Sequence, residues 1–262
     1  VKGKPRNAPL KERLRAGELT IGSWITLGHP SIAEIMARAG FDWLVVDMEH
    51  SAITLREAQA LIQAIELGGS VPLVRVGAND PNEIKRVMDA GAHGVIVPMV
   101  NSREDALRAI SAANYPPRGT RGVGLARAQG YGLGFEGYKE WLCENCVTVV
   151  QIEHVQALRD LDGILATEGV DAFIVGPYDL SGSLGRPGEL DCPEVAAALE
   201  EVKEAARRTG ALSGFHVIPP DWREARARIA EGYRFIGLSL DTLFLGSSCS
   251  EELKNLRRPS FA

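Results

Sequence analysis

Glu153 and Asp179 each stand where an apolar, β-rich run stops: Val147-Thr148-Val149-Val150-Gln151-Ile152-Glu153 and Phe173-Ile174-Val175-Gly176-Pro177-Tyr178-Asp179. A strand that delivers an acid at its C-terminal end, followed by a helical stretch, is the unit from which a (β/α) barrel builds its active face. The placement predicts that the two acids are neighbours in space. Hard divalent cations such as Mg²⁺ and Mn²⁺ take carboxylate oxygen and retain several waters or substrate oxygens, so two protein acids suffice for an open, catalytic metal site. Further polar residues fall at equivalent strand ends: Asp47-Met48-Glu49-His50 after the second run, Arg75 in the third, Gln151 in the fifth. Gln151 and Glu153, two apart, share a pleat face with Val149 and can point to one place.

The elements that must position these residues alternate along the whole chain. Apolar β-type runs cover residues 21–27, 43–49, 71–76, 94–100, 147–153, 172–176, 213–218 and 235–240, each bounded by Gly, Pro, Asp or Asn. Helical patterns lie between them, such as 55–66, with Leu55, Ala58, Leu61, Ile62 and Ile65 at three-and-four spacing, and 81–90, opened by Pro81. Eight such units predict an α/β fold, the (β/α)8 TIM barrel, as one domain over residues 1–262. No linker divides them. One long irregular segment, residues 115–141, is rich in Gly and Arg and is expected to border the active site.

Composition bounds the function. The 262 residues are 45% hydrophobic and carry a net charge of −5 without a run of Lys or Arg, which disfavours nucleic acid and anionic membrane as partners. No apolar stretch reaches about 18 residues, and the N-terminal residues lack the apolar core of a signal peptide, so a cytoplasmic enzyme is expected. Cys143-Glu144-Asn145-Cys146 has no second close pair, because Cys192 and Cys249 stand far apart. It reads as a loop-to-strand junction in a reducing compartment rather than a zinc or redox site.

Taken in order, Asp47-Met48-Glu49-His50, Val74-Arg75-Val76, Tyr115-Pro116-Pro117-Arg118-Gly119-Thr120-Arg121-Gly122, Val150-Gln151-Ile152-Glu153 and Gly176-Pro177-Tyr178-Asp179-Leu180 resemble the HpcH/HpaI family of metal-dependent pyruvate aldolases. That family includes 2-dehydro-3-deoxyglucarate aldolase and 4-hydroxy-2-oxoheptanedioate aldolase. The resemblance implies a divalent metal (Mg²⁺, Mn²⁺ or Co²⁺) and reversible cleavage of a 4-hydroxy-2-oxo acid to pyruvate and an aldehyde. It assigns the metal to Glu153 and Asp179, with Gln151 in support, and stabilisation of the developing enolate oxygen to Arg75. The Gly176-Pro177-Tyr178-Asp179 turn would cradle the pyruvate carboxylate with backbone N–H groups. His50, oriented by Asp47, is the expected base for the C4 hydroxyl, directly or through a bound water. The resemblance also implies a homo-oligomer, a hexamer with C-terminal helices exchanged between subunits. Met48 stands where such turns often carry Gly, and Tyr178 fills a variable slot; both bear on pocket shape.

Each residue has a second reading. Asp47 and His50 could simply brace a loop, Arg75 could pair with an internal acid, and Glu153 or Asp179 could cap a helix. Arg121 borders the pocket or only braces the long segment. His216 ends the seventh run, in the layer that would meet substrate or as a satisfied barrel-mouth histidine, and Trp24 reads as a pocket wall. The lysines at 2, 4, 11, 85, 139, 203 and 254 fall in termini, helices or loops, which disfavours a Schiff-base aldolase. An acyl-CoA lyase of the malyl or citramalyl type, or an oxaloacetate decarboxylase, would use the same enolate chemistry and is the alternative.

Overall fold

Strand-forming Val, Ile, Leu and Phe fill the segments that pair in the computed structural model, which describes residues 8–258. Residues 1–7 and 259–262, and with them Lys2, Lys4 and the N-terminal stretch read for a signal peptide, lie outside the described residues. Among the described residues there are eight strands: β1 (Thr20–Ile25), β2 (Trp43–Asp47), β3 (Val71–Arg75), β4 (Gly94–Val97), β5 (Val147–Ile152), β6 (Ala172–Val175), β7 (Ser213–Val217) and β8 (Phe235–Leu240). They pair in sequence order, all parallel, and β8 returns to β1 to close the barrel. The fold is the expected (β/α)8 barrel. Most strands stop one to three residues earlier than the apolar runs suggest, so Glu49, Glu153 and Gly176 stand just past the ladder.

The helices are α1 (Leu10–Arg15), α2 (Pro30–Ala39), α3 (Leu55–Leu67), α4 (Pro81–Asp89), α5 (Arg103–Ala113), α6 (Phe135–Asn145), α7 (Leu161–Leu165), α8 (Pro177–Ser183), α9 (Pro193–Thr209), α10 (Trp222–Ala230) and α11 (Asp241–Leu256). Local sequence sets their starts. Thr54 and Glu57 form a capping box on α3, which buries Ala58, Leu61, Ile62 and Ile65, and Asp80 caps α4 ahead of Pro81. None of the described helices is long and apolar enough to cross a membrane.

Strand alternation sorts side chains into two layers. Inward residues Trp43, Val45, Leu73, Ile96, Val147, Val149, Ala172, Ile174 and Phe235 fill the barrel, while Leu44, Val46, Val74, Val95, Val150 and Val175 pack outward against the helices. Each fully buried aliphatic side chain contributes roughly 1.5–3 kcal/mol. α1 closes the N-terminal end of the barrel, where Leu10 and Leu14 join the inner cluster. There Lys11 is buried, paired with Asp171 at 2.9 Å and donating to the Cys146 carbonyl.

The long irregular segment departs from expectation. It follows α5, so it is a helix-to-strand connection and belongs to the N-terminal end of the barrel, opposite the face where strands deliver their C-terminal residues. Arg127 pairs with Glu66 at the end of α3 and donates to the Ala90 carbonyl after α4. Arg121 is buried there too: it donates to Asp89, to the Tyr138 hydroxyl at 3.0 Å and to the Ala113 carbonyl, with its guanidinium over the Tyr115 ring. It braces the segment and does not line this chain's barrel-mouth cavity.

Candidate active site

A cavity opens at the C-terminal ends of the strands, lined by Trp24, Thr26, Asp47, His50, Arg75, Gln151, Gly176, Pro177, Asp179 and His216 among others. Trp24, Arg75, Gln151 and His216 come from β1, β3, β5 and β7, the alternate-strand layering that fills such barrels. Polar residues here take the place of the apolar layer below.

Asp47 and Arg75 are direct register partners on β2 and β3. Their side chains form a two-point ion pair, Nε to Oδ1 at 3.0 Å and Nη2 to Oδ2 at 2.6 Å. The same carboxylate accepts the backbone N–H groups of Glu49 and His50 at 3.1 and 3.3 Å, so it fixes the turn as well as the guanidinium. Burial opposes the charge on Arg75, but Asp47, Glu49 and Glu153 outweigh it and hold the guanidinium above its ordinary value. Nη1 lies 3.2 Å from Glu49 Oε2, an ion pair without hydrogen-bond alignment. The second reading of Arg75, as partner to an internal acid, is thus met.

His50 is placed differently from expectation. Its side chain is 63% exposed at the cavity mouth, with Nε2 3.8 Å from Glu49 Oε2. Asp47 does not orient the imidazole, because its carboxylate is committed to Arg75 and the turn.

Glu153 is buried, with Oε1 accepting the Met99 N–H at 2.7 Å and Oε2 accepting from Gln151 Nε2. Burial pushes its carboxyl up to about 7, with Glu49 and Asp179 adding repulsion; Glu49 is likewise pushed up to about 7 by burial, against the pull of Arg75. Gly176 must be glycine here, because a Cβ would come 2.9 Å from Glu153 Cβ and Oε2. Asp179 sits in the first turn of α8, after Gly176 at the N-cap, so it does not act as the cap. Tyr178 is 51% exposed and does not line the cavity.

The donor set suits a hard divalent cation. Glu153 and Asp179 supply carboxylate oxygen, and the buried Gln151 Oε1 has no partner. Among the described residues no group of three or more His, Cys, Asp or Glu is placed to hold a metal ion.

Trp24 and His216 stack in the cavity wall, ring centroids 4.1 Å apart. Burial pushes the His216 imidazole down to about 4. Sequence reasoning gave no role to Glu49, although its two-residue spacing from Asp47 carried the signal, since period two returns it to the same face. It also missed the Met99 N–H, supplied by a residue at φ 53°.

A closed parallel barrel with charged and polar groups gathered at its C-terminal mouth defines a barrel enzyme. Residues 20–246 match the HpcH/HpaI aldolase/citrate lyase family, and the chain belongs to that family; it is a carbon–carbon lyase. It is 38% identical over 247 residues to 2-keto-3-deoxy-L-rhamnonate aldolase of Escherichia coli (strain K12), covering 94% of this chain and 91% of that one. An HpcH/HpaI aldolase/citrate lyase family protein from Burkholderia cenocepacia J2315 superposes with a TM-score of 0.90 at 35% identity, covering 95% of this chain and 98% of the other. An HpcH/HpaI aldolase from Desulfitobacterium hafniense DCB-2 gives 0.87 at 34% identity, covering 97% of this chain and all of that one.

Proposed function

We propose that this chain is a divalent-metal-dependent aldolase that reversibly cleaves a 4-hydroxy-2-oxo acid to pyruvate and an aldehyde. The observation that carries the reading is one cavity lined by Gln151, Asp179 and a guanidinium locked by Asp47, with the buried Glu153 carboxylate accepting from Gln151 beside it. Glu153 and Asp179 would hold Mg²⁺, Mn²⁺ or Co²⁺, which when bound supplies a Lewis acid for the 2-oxo acid oxygens.

In cleavage the C4 hydroxyl proton leaves to His50, C4 becomes the aldehyde carbon, and the C3–C4 electron pair passes through C3 onto the keto oxygen. Arg75 donates to that oxygen as charge develops; because Asp47 holds the guanidinium beforehand, little reorganisation is needed at the moment of reaction. Protonation at C3 then gives pyruvate. Glu49, 3.2 Å from Arg75 and 3.8 Å from His50, links the two functions.

We also propose that one barrel domain spans the chain and that it assembles as a homo-oligomer. Leu245, Leu253 and Leu256 of α11 are exposed, and an apolar groove runs between α2 and α11 along Ile35, Met36 and Phe244, which supports exchange of C-terminal helices. Light scattering on the purified protein tests this.

The deciding assay adds Mg²⁺, Mn²⁺ or Co²⁺ to pure protein with a panel of 4-hydroxy-2-oxo acids, and oxaloacetate, and measures pyruvate release. Release from the hydroxy-oxo acids is expected. Release from oxaloacetate alone overturns the aldolase reading in favour of a decarboxylase.

A further inference from the structure

Trp24 and His216 have no part in the proton and enolate chemistry, yet they form a constructed piece of the cavity wall. Their rings lie 14° from parallel, and β8 runs between their strands in the closed barrel. Position 237 on β8 is glycine for this reason: a Cβ there would lie 2.4 Å from Trp24 Cζ3 and 3.2 Å from His216 Cδ2. Those contacts settle which ring edges face β8.

His216 turns Cδ2 and Nε2 toward β8, where Nε2 lies 3.1 Å from the Ser239 carbonyl oxygen. A carbonyl only accepts, so Nε2 carries the proton and Nδ1 keeps its lone pair on the opposite edge. Ser239 is held at φ 53°, with its Oγ donating to the Ile218 carbonyl and its own carbonyl also accepting from Ser23 Oγ, so the anchor is fixed. The bond from Nε2 is the one side-chain hydrogen bond of His216 among the described residues, which leaves Nδ1 without a partner on a ring that lines the cavity. Low basicity in this buried place keeps the ring neutral and Nδ1 an acceptor.

Trp24 presents its Cε3–Cζ3 edge to Gly237, which turns Nε1 away from β8 as well. That N–H is buried on a residue 2% exposed, and it has no partner. Buried donors without a partner are rare in folded proteins. The stack therefore offers one unmet donor and one unmet acceptor on its β8-averted edges. A carboxylate cannot donate to Nδ1, and an ammonium cannot accept from Nε1–H; a hydroxyl does both.

We propose that Trp24 and His216 form a hydroxyl-recognition subsite, in which Trp24 Nε1–H donates to, and His216 Nδ1 accepts from, one substrate hydroxyl, so that the enzyme selects hydroxylated substrates over their deoxy counterparts. This deepens, and rests on, the aldolase reading. The hydroxyl belongs to the 2-oxo acid half or to the aldehyde half, and both present the same chemistry.

The test runs the condensation with Mn²⁺ and four pairings: pyruvate or hydroxypyruvate with propanal or lactaldehyde. The readout is the ratio of kcat/KM for the hydroxylated over the deoxy partner on each arm. Wild type should favour the hydroxylated partner on one arm by about tenfold or more, and that arm identifies the source. His216→Leu and Trp24→Phe should each bring the ratio toward one. His216→Asn, which restores an acceptor near Nδ1, should recover part of it and serves if the leucine variant does not fold. Ratios near one in wild type, or unmoved by all three substitutions, overturn the subsite and leave the aldolase reading intact. No product from any pairing in wild type overturns the aldolase reading and the subsite with it.

Discussion

Arg75 reaches the cavity already bound on one edge, its Nε and Nη2 held by the two oxygens of Asp47 on the neighbouring strand. The register pairs the two residues directly, so the ladder itself sets the guanidinium's direction. Bidentate geometry needs a planar fork, which lysine lacks. Arg75→Lys should therefore lower kcat/KM for pyruvate release by roughly 10²-fold, equivalent to about 2.7 kcal/mol of transition-state stabilisation. Steady-state kinetics on the folded variant check this, and near-normal turnover removes Arg75 from the mechanism.

His50 separates proton transfer from enolate stabilisation. Its exposed ring at the cavity mouth has Glu49 as nearest acid and no bond to Asp47, so replacing it leaves the Asp47–Arg75 pair in place. His50→Ala should impair aldol cleavage strongly, by about 10²-fold or more, and impair oxaloacetate decarboxylation less, because that substrate has no C4 hydroxyl to deprotonate. Equal losses in the two reactions mean that His50 positions substrate and is not the base.

The positions of the strands were legible because apolar runs, punctuation and period-two alternation all agree at each of them. The acids at their ends were legible for the same reason. What Asp47 does was not: its three-residue spacing to His50 suggests a dyad, whereas the stronger partner lies across a ladder whose register no local pattern reveals. The Trp24–His216 stack was hidden likewise, since it depends on β8 closing onto β1 around Gly237. The face of the long segment was readable and misread, because a connection leaving a helix returns to the N-terminal end of the strands.

The two raised carboxyls predict a pH dependence of stability in the metal-free protein. Burial lifts Glu49 and Glu153 from 4.5 to about 7 in the folded state. Between those values the folded state holds more protons than the unfolded one, so stability falls as pH rises through that window. Thermal melting in chelator should give a lower Tm at pH 8 than at pH 5.5, with a shallower fall in Glu153→Gln. Added Mn²⁺ should raise Tm more at pH 8 than at pH 6, because cation and proton compete for the same oxygens. A melting temperature in chelator that rises over this range contradicts the assigned cause.

The last prediction sets the metal pair against a lysine mechanism. Glu153→Gln and Asp179→Asn keep size and remove charge, so each should weaken Mn²⁺ binding by calorimetry, and chelation of the wild type should abolish pyruvate release until Mg²⁺, Mn²⁺ or Co²⁺ is returned. Borohydride with pyruvate should trap no adduct. A Schiff-base enzyme behaves in the opposite way, forming a covalent adduct and ignoring chelator, because an iminium takes the electrons. Lys11, a buried lysine, is paired with Asp171 beside α1 at the far end of the barrel, and no lysine lines the cavity among the described residues. Full activity in excess chelator, or in both variants, would sink the metal-dependent reading.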